Sequence, residues 1–342
     1  MDILNRQSNS NALGKSCKKT SHASHSFTAV DSKHDQIRVG QGFELARPKR
    51  REVRVLSFTS GKGGVGKTHI VVNLAYALQQ LGARVMVLDA DFGLANVDVL
   101  LGLTPPFNLQ HVLEGQKELS DILLQGPAGM TILPASTGLC EVARMSEANR
   151  FRLLDALDDL HDDFDYVLVD TGAGISNNVI YFNLAAQDIV VVATPEPTSL
   201  MDAYALMKVL ANQYAEKCFK LVMNAVADEV EARDSFRRLS MVTERFLNVS
   251  LDYCGCIPYD QAFSWAVRQQ KPLLDLYPST ASAAYFYQLA RLMLDLPRRA
   301  HPKGTIQFFW RRLFTDAFSP ASEALNLVHR GAERPDDEGV LS

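Results

Sequence analysis

The run Ser57–Ala75, SFTSGKGGVGKTHIVVNLA, holds the residues whose types and spacing point most directly to chemistry. Gly61, Gly66, Lys67 and Thr68 satisfy the pattern G-x-x-x-x-G-K-[ST]. In such a loop, glycines let backbone N–H groups approach phosphate oxygens, and the helix N-terminus that follows adds positive dipole. Lys67 is expected at the β- and γ-phosphates and Thr68 at Mg²⁺ through its hydroxyl. The residues expected around the phosphates are Gly61, Lys62, Gly63, Gly64, Val65, Gly66, Lys67, Thr68 and His69. Lys62 is surplus to the pattern, and its role has to come from elsewhere. Three aspartates close apolar runs: Asp89 and Asp91 in LDADFGLANVDVLLGL, and Asp170 in VLVDTGAGI. Strand ends of this kind deliver carboxylates to the edge where a phosphate loop lies, and Gly172 and Gly174 free the backbone after Asp170.

The elements that must position these groups alternate between strand and helix. VRVLSFTS is a short β-branched and aromatic run that leads into the glycine loop, and THIVVNLAYALQQLG repeats apolar residues at helical spacing up to Gly82. ARVMVLDAD, MTILPA, FDYVLVDTGAG, DIVVVATPEP, FKLVMNAV and LDYCGCIP are predicted strands. Helices are predicted over EANRFRLLDALDDLHD, TSLMDAYALMKVLANQYA, ARDSFRRLSMVTERFL and ASAAYFYQLARLMLDL. Near-continuous apolar strands alternating with helices predict an α/β fold with a doubly wound, mostly parallel sheet flanked by helices, binding its ligand at the strand-to-helix edge.

Composition agrees with a folded core: of 342 residues, 47% are hydrophobic and 22% charged. No run reaches the roughly 18 apolar residues that would span a bilayer, and the start has no apolar secretory core. Cys254 and Cys256 form C-x-C without the further ligands of a zinc set, so they are expected as small buried side chains and the compartment as a reducing cytoplasm. Net charge is divided unevenly. Met1–Arg54 has 11 Lys/Arg against 5 Asp/Glu, whereas Val55–Pro297 has 17 against 28. The acidic middle argues against a broad or sequence-specific nucleic-acid surface. Residues 1–51 are expected to be a basic, largely disordered extension, 52–296 the folded domain, 297–318 a linker and amphipathic helix, and 319–342 a disordered tail.

KGGVGKT resembles the deviant phosphate loop of the MinD/ParA ATPases, P-loop NTPases whose fold matches the one predicted. The resemblance implies ATP and Mg²⁺ as cofactors and a homodimer formed when ATP is bound. Lys62 would reach across that dimer to the partner's phosphates, where a cation supplied in trans stabilises the transferring phosphoryl group. Lys62, Lys67 and Asp91 would then be the catalytic residues, with Asp91 positioning the attacking water. Thr68, Asp89 and Asp170 would form the magnesium site, Asp89 through water. Asn224 in LVMNAV resembles the asparagine that reads adenine, and IPYDQAFSWAVRQQKPLLDLYP, with Pro258 and Asp260, resembles the segment that closes over the base.

Four blocks resemble the flagellar-number branch, FlhG/FleN: LDADFGLANVDVLLGLTPPFNLQHVLEG, VDTGAGIS, TPEPTSLMDAYALMKVL and IPYDQAFSWAVRQQKPLLDLYPSTASA. That branch implies an FlhF-like GTPase and a FleQ-like transcription activator as partners. The extension HDQIRVGQGFELAR keeps only Asp35 and Gln36 of a GTPase-stimulating element. In GTIQFFWRRLFTDAF a helix gathers Ile306, Phe309, Trp310, Leu313 and Phe314 on one face, with Arg311 and Arg312 away from it. This pattern describes an interfacial helix or one packed on the domain itself; the family favours reversible binding at the inner face of the cytoplasmic membrane. A division-site or partition ATPase, or a nucleotide-dependent binding module without hydrolysis, are the alternatives.

Overall fold

The computed structural model describes residues 53–91, 97–108, 111–112, 114–134, 157 and 160–296. In chain order the elements are β1 (Arg54–Ser60), α1 (Lys67–Gln80), β2 (Val85–Ala90), α2 (Val97–Leu101), α3 (Leu119–Ile122), β3 (Leu124–Gln125) and β4 (Thr131–Pro134). They continue with β5 (Tyr166–Ala173), α4 (Asn177–Ala185), β6 (Asp188–Ala193), α5 (Pro197–Tyr214), β7 (Cys218–Val226) and α6 (Glu229–Leu247). The last are β8 (Ser250–Pro258), α7 (Ala262–Arg268), α8 (Leu273–Leu276) and α9 (Ala281–Asp295).

The strands form one eight-stranded sheet in the order β3-β4-β2-β5-β1-β6-β7-β8. Every pairing is parallel except β3 with β4. The chain moves from β1 to one side of the sheet and later to the other, so β1 lies at the topological switch point, and its C-terminal end is where a doubly wound fold makes a crevice. β1 and β2 are buried along nearly their whole length because helices cover both faces. Leu56 and Phe58 pack with α1 and α9 on one face, while Val167, Val169, Ile189 and Val191 pack toward α4 and α5 on the other.

Most predicted elements are present with ends shifted by a few residues. The helix expected over EANRFRLLDALDDLHD lies mainly outside the described residues, and Leu160–Asp163 is a short 3-10 turn. Helix α4 was not expected from the sequence. Val179, Ile180, Phe182, Asn183, Leu184 and Ala185 are all buried, so no polar stripe marks it as amphipathic. Its Asn183 sits beneath the glycine loop, accepting from Ser57 Oγ (2.8 Å) and donating to Thr59 Oγ1 (3.1 Å) and Val179 O (2.8 Å).

Cys254 and Cys256 are buried as expected, but not on one face. The β7–β8 register passes from Leu221↔Tyr253 to Val222↔Gly255, so Cys254 is an inserted residue, with Gly255 at φ 124°. This bulge turns Cys254 toward the α1 and α9 core and Cys256 toward the α5 and α6 core. Burial raises both thiols, Cys254 to about 11 and Cys256 to about 12.

Candidate functional site

The glycine loop runs from the end of β1 into α1, and its shape leaves little choice of residue at two positions. A Cβ on Gly61 would lie 2.1 Å from the Asp202 carbonyl oxygen of α5. Gly66 has φ +83°, and a Cβ there would lie 2.4 Å from Asn224 Nδ2. Glycine at both lets the loop pass close against its neighbours.

A cleft of about 460 Å³ opens above the loop, lined on one side by Gly63–His69 and on the other by Asp91, Val99, Leu100, Ala173, Val267 and Gln270. Lys67 is buried at the loop's end, its Nζ 2.5 Å from Asp170 Oδ1. Register places Asp170 directly beside Asp89 on one neighbouring strand and Phe58 on the other, so the carboxylates converge as expected. Asp89 accepts from the N–H groups of Asp91 (3.2 Å) and Val97 (3.1 Å), fixing both ends of the segment that follows β2. The Asp91 carboxyl lies against the backbone of Gly172, where a Cβ would be 3.5 Å from Oδ1.

These groups fit a magnesium–nucleotide. Thr68 lines the cleft, and the second oxygen of Asp170 is fully buried with no hydrogen-bond partner, as suits a carboxylate facing a cation's water shell. Lys67 lines the same cleft.

A second pocket, of about 140 Å³, adjoins the first and shares Gly66 and His69 with it. Asn224, Ala225, Pro258, Tyr259, Asp260, Phe263 and Ser264 complete its wall. Asn224 Nδ2 donates to Val65 O (2.7 Å), which orients the amide and ties this pocket to the phosphate loop. Asn224 and Pro258 therefore come together in one pocket beside the glycine loop. His69 stands between the two pockets, its ring edge-on to Phe263 with centroids 6.1 Å apart. Burial lowers the His69 pKa and nearby Asp170 partly opposes that, so the ring is held toward its neutral form.

Lys62 is the exception. Its side chain leaves the cleft and donates to Glu196 Oε2 (2.8 Å) and Thr198 Oγ1 (3.3 Å) at the start of α5. Glu196, Thr198, Val99, Phe263 and Gln270 were not singled out from the sequence. Each meets the site through contacts distant in sequence, for which no local pattern exists. The proposed membrane residues Ile306, Phe309, Trp310, Leu313 and Phe314, and the N-terminal extension with Asp35 and Gln36, lie outside the described residues. Among the described residues, no helix is long and apolar enough to cross a membrane.

The model of a family described as "AAA domain" matches residues 53–222. The antiactivator FleN of Pseudomonas aeruginosa is 45% identical over 261 residues, covering 76% of this chain and 93% of that protein. The flagellum site-determining protein YlxH of Helicobacter pylori is 34% identical over 270 residues, covering 76% of this chain and 89% of its own length. Among solved structures, the septum site-determining protein MinD of Pyrococcus horikoshii, complexed with Mg-ADP, superposes with a TM-score of 0.56 at 24% identity. That match covers 71% of this chain and 96% of the MinD chain, and it supports the fold.

Proposed function

The chain belongs to the MinD/ParA-type ATPases, in the branch that includes FleN, and from that premise we propose that it is an ATP-driven dimerisation switch controlling flagellar number or placement. ATP enters with its phosphates on Gly61–Thr68 and its base between Asn224 and Pro258. Thr68 and Asp170, with Asp89 behind them, would hold Mg²⁺, which when bound supplies charge neutralisation on the transferring phosphoryl group. Lys67 balances the phosphates of its own cleft, and Asp91 orients the attacking water. The ATPase activity follows from family membership; the residue roles and the dimer are the proposal.

One observation carries the trans role of Lys62. Its ammonium is paired with Glu196 and is not part of the cleft lining, whereas Lys67 is buried inside. A lysine already at the domain's outer face is available to a second copy. In the dimer each Lys62 would meet the partner's phosphates, making hydrolysis depend on association. An FlhF-like GTPase and a FleQ-like transcription activator are the proposed partners. Residues 306–314 would hold the ATP-bound dimer reversibly on the cytoplasmic membrane, two weak helices acting together through avidity.

ATP hydrolysis and sedimentation of wild type, Lys62→Ala and Asp91→Ala test this reading. Lys62→Ala should lose hydrolysis by at least about 10-fold and fail to dimerise while still binding ATP, and Asp91→Ala should accumulate as an ATP-bound dimer. Hydrolysis by monomeric Lys62→Ala at the wild-type rate would overturn the trans assignment.

A further inference from the structure

Gln270 follows the C-cap of α7 and adopts φ +53°, the left-handed residue of a helix ending in which its own N–H donates to Val267 O (3.0 Å) and that of Lys271 to Ala266 O (3.2 Å). From there its Nε2 donates to Val99 O of α2 at 2.8 Å, across 171 residues of sequence. The contact is close on a second side: a Cβ on Gly102 would lie 3.2 Å from Gln270 Oε1 and 3.3 Å from its Cβ. Helix α2 is pinned at its other end, where Val97 N–H donates to Asp89, the same carboxylate that accepts from the N–H of Asp91. Val99, Gln270 and Asp91 all line the phosphate cleft. Base pocket, α7, Gln270, α2, Asp89 and Asp91 thus form one continuous chain of contacts.

We propose that Gln270 is a positioning residue that joins the base-covering segment to α2, so that seating a nucleoside sets the placement of Asp91. This inference rests on the proposed ATPase site and adds to it a route from the base pocket to the hydrolytic aspartate. A side-chain hydrogen bond held between two elements that both line the cleft is what such a joint requires. Phosphates in the cleft face α7 only at Val267, whereas a nucleoside would also meet Phe263 and Ser264 in the second pocket, so the nucleoside is the part of the ligand that closes the joint.

Two variants separate the hydrogen bond from the backbone. Gln270→Glu keeps the shape but cannot donate to the Val99 carbonyl. Gln270→Gly removes the amide and relieves the positive φ. Both should lower kcat for ATP by about 5-fold or more while KM changes less than about 2-fold, and Gln270→Gly should do so without a fall in Tm. Hydrogen–deuterium exchange of residues 97–102 gives a readout independent of hydrolysis. ADP should protect this segment in wild type and not in Gln270→Glu, and inorganic tripolyphosphate should protect it in neither. Wild-type kcat in both variants, or equal ADP protection in wild type and Gln270→Glu, would overturn the proposal. Absence of ATPase activity in wild type would instead remove the reading beneath it, and the exchange experiment would still report on the joint.

Discussion

Lys62 and Lys67 carry the same ammonium group but occupy different environments. Lys67 is 8% exposed and ion-paired to a carboxylate that is fully buried, so it belongs permanently to its own cleft. Lys62 is 40% exposed, and its partner Glu196 is 64% exposed. Pairs as exposed as this contribute about 0–1 kcal/mol, so Lys62 can be released without a large cost to the fold. Glu196→Gln should therefore leave the unfolding midpoint nearly unchanged in urea titration. The loop glycines have no such tolerance. Gly66→Ala places a methyl 2.4 Å from Asn224 Nδ2 at φ +83°, displacing the amide that links loop to base pocket. It should weaken binding of a fluorescent ATP analogue by at least about 10-fold, a change of roughly 1.4 kcal/mol or more. Unchanged affinity would show that the loop relaxes around the extra carbon.

Helix α4 works from beneath the site rather than at its surface. Asn183 gives Ser57 and Thr59, two of the three hydroxyls of β1, partners in the core. β1 must lead the chain rigidly into the glycine loop, and this buried network fixes the strand just before it turns. Asn183→Leu should cost about 1–3 kcal/mol, the range for leaving buried polar groups unpaired, measured by urea denaturation with the slope of the transition unchanged. Strand β8 adds a prediction at the same scale. With thiol pKa values raised to about 11 and 12 by burial, Cys254 and Cys256 are essentially all protonated at neutral pH. Both should stay unlabelled by iodoacetamide in the folded protein and react only after unfolding, as read by mass spectrometry.

Across the whole molecule the sheet has two unlike ends. Ligand groups gather at the C-terminal ends of the strands, and structural charges gather at the other. Arg54, entering β1, donates to Asp188 Oδ2 through Nε (2.9 Å) and a terminal nitrogen (2.7 Å) and reaches Leu296 O (3.1 Å) after α9. Lys220 approaches the same aspartate at 3.7 Å. The first strand and the last described helix are thereby tied together where the flanking segments depart. Removing the shared carboxylate leaves Arg54 only the Leu296 carbonyl and Lys220 only the exposed Asp252 at 3.4 Å, so Asp188→Ala should cost about 3 kcal/mol, without altering nucleotide affinity in the fraction that remains folded. A chain ending at Pro297 tests the opposite property: it should dimerise with ATP yet no longer float with liposomes. Undiminished flotation would remove residues 306–314 from the membrane proposal.

The nucleotide chemistry was legible in the sequence because it is local. A glycine loop needs a fixed spacing between a strand and a helix, and strand-end aspartates follow apolar runs that one reads directly; Gly61–Thr68, Asp89, Asp91 and Asp170 all come from such short patterns. The alternation of strands and helices likewise fixes the class of fold, since one face of every element must be buried. Tertiary structure alone decided what meets across long separations: Lys62 with Glu196, Asn224 with the loop carbonyl of Val65, and Gln270 with α2. It also separated two cysteines that strand alternation would put on one face, because a single inserted residue reverses the pleat. Spacing along the chain determines which groups exist to bind a phosphate. Only the order in which the strands pair determines which of them stand together.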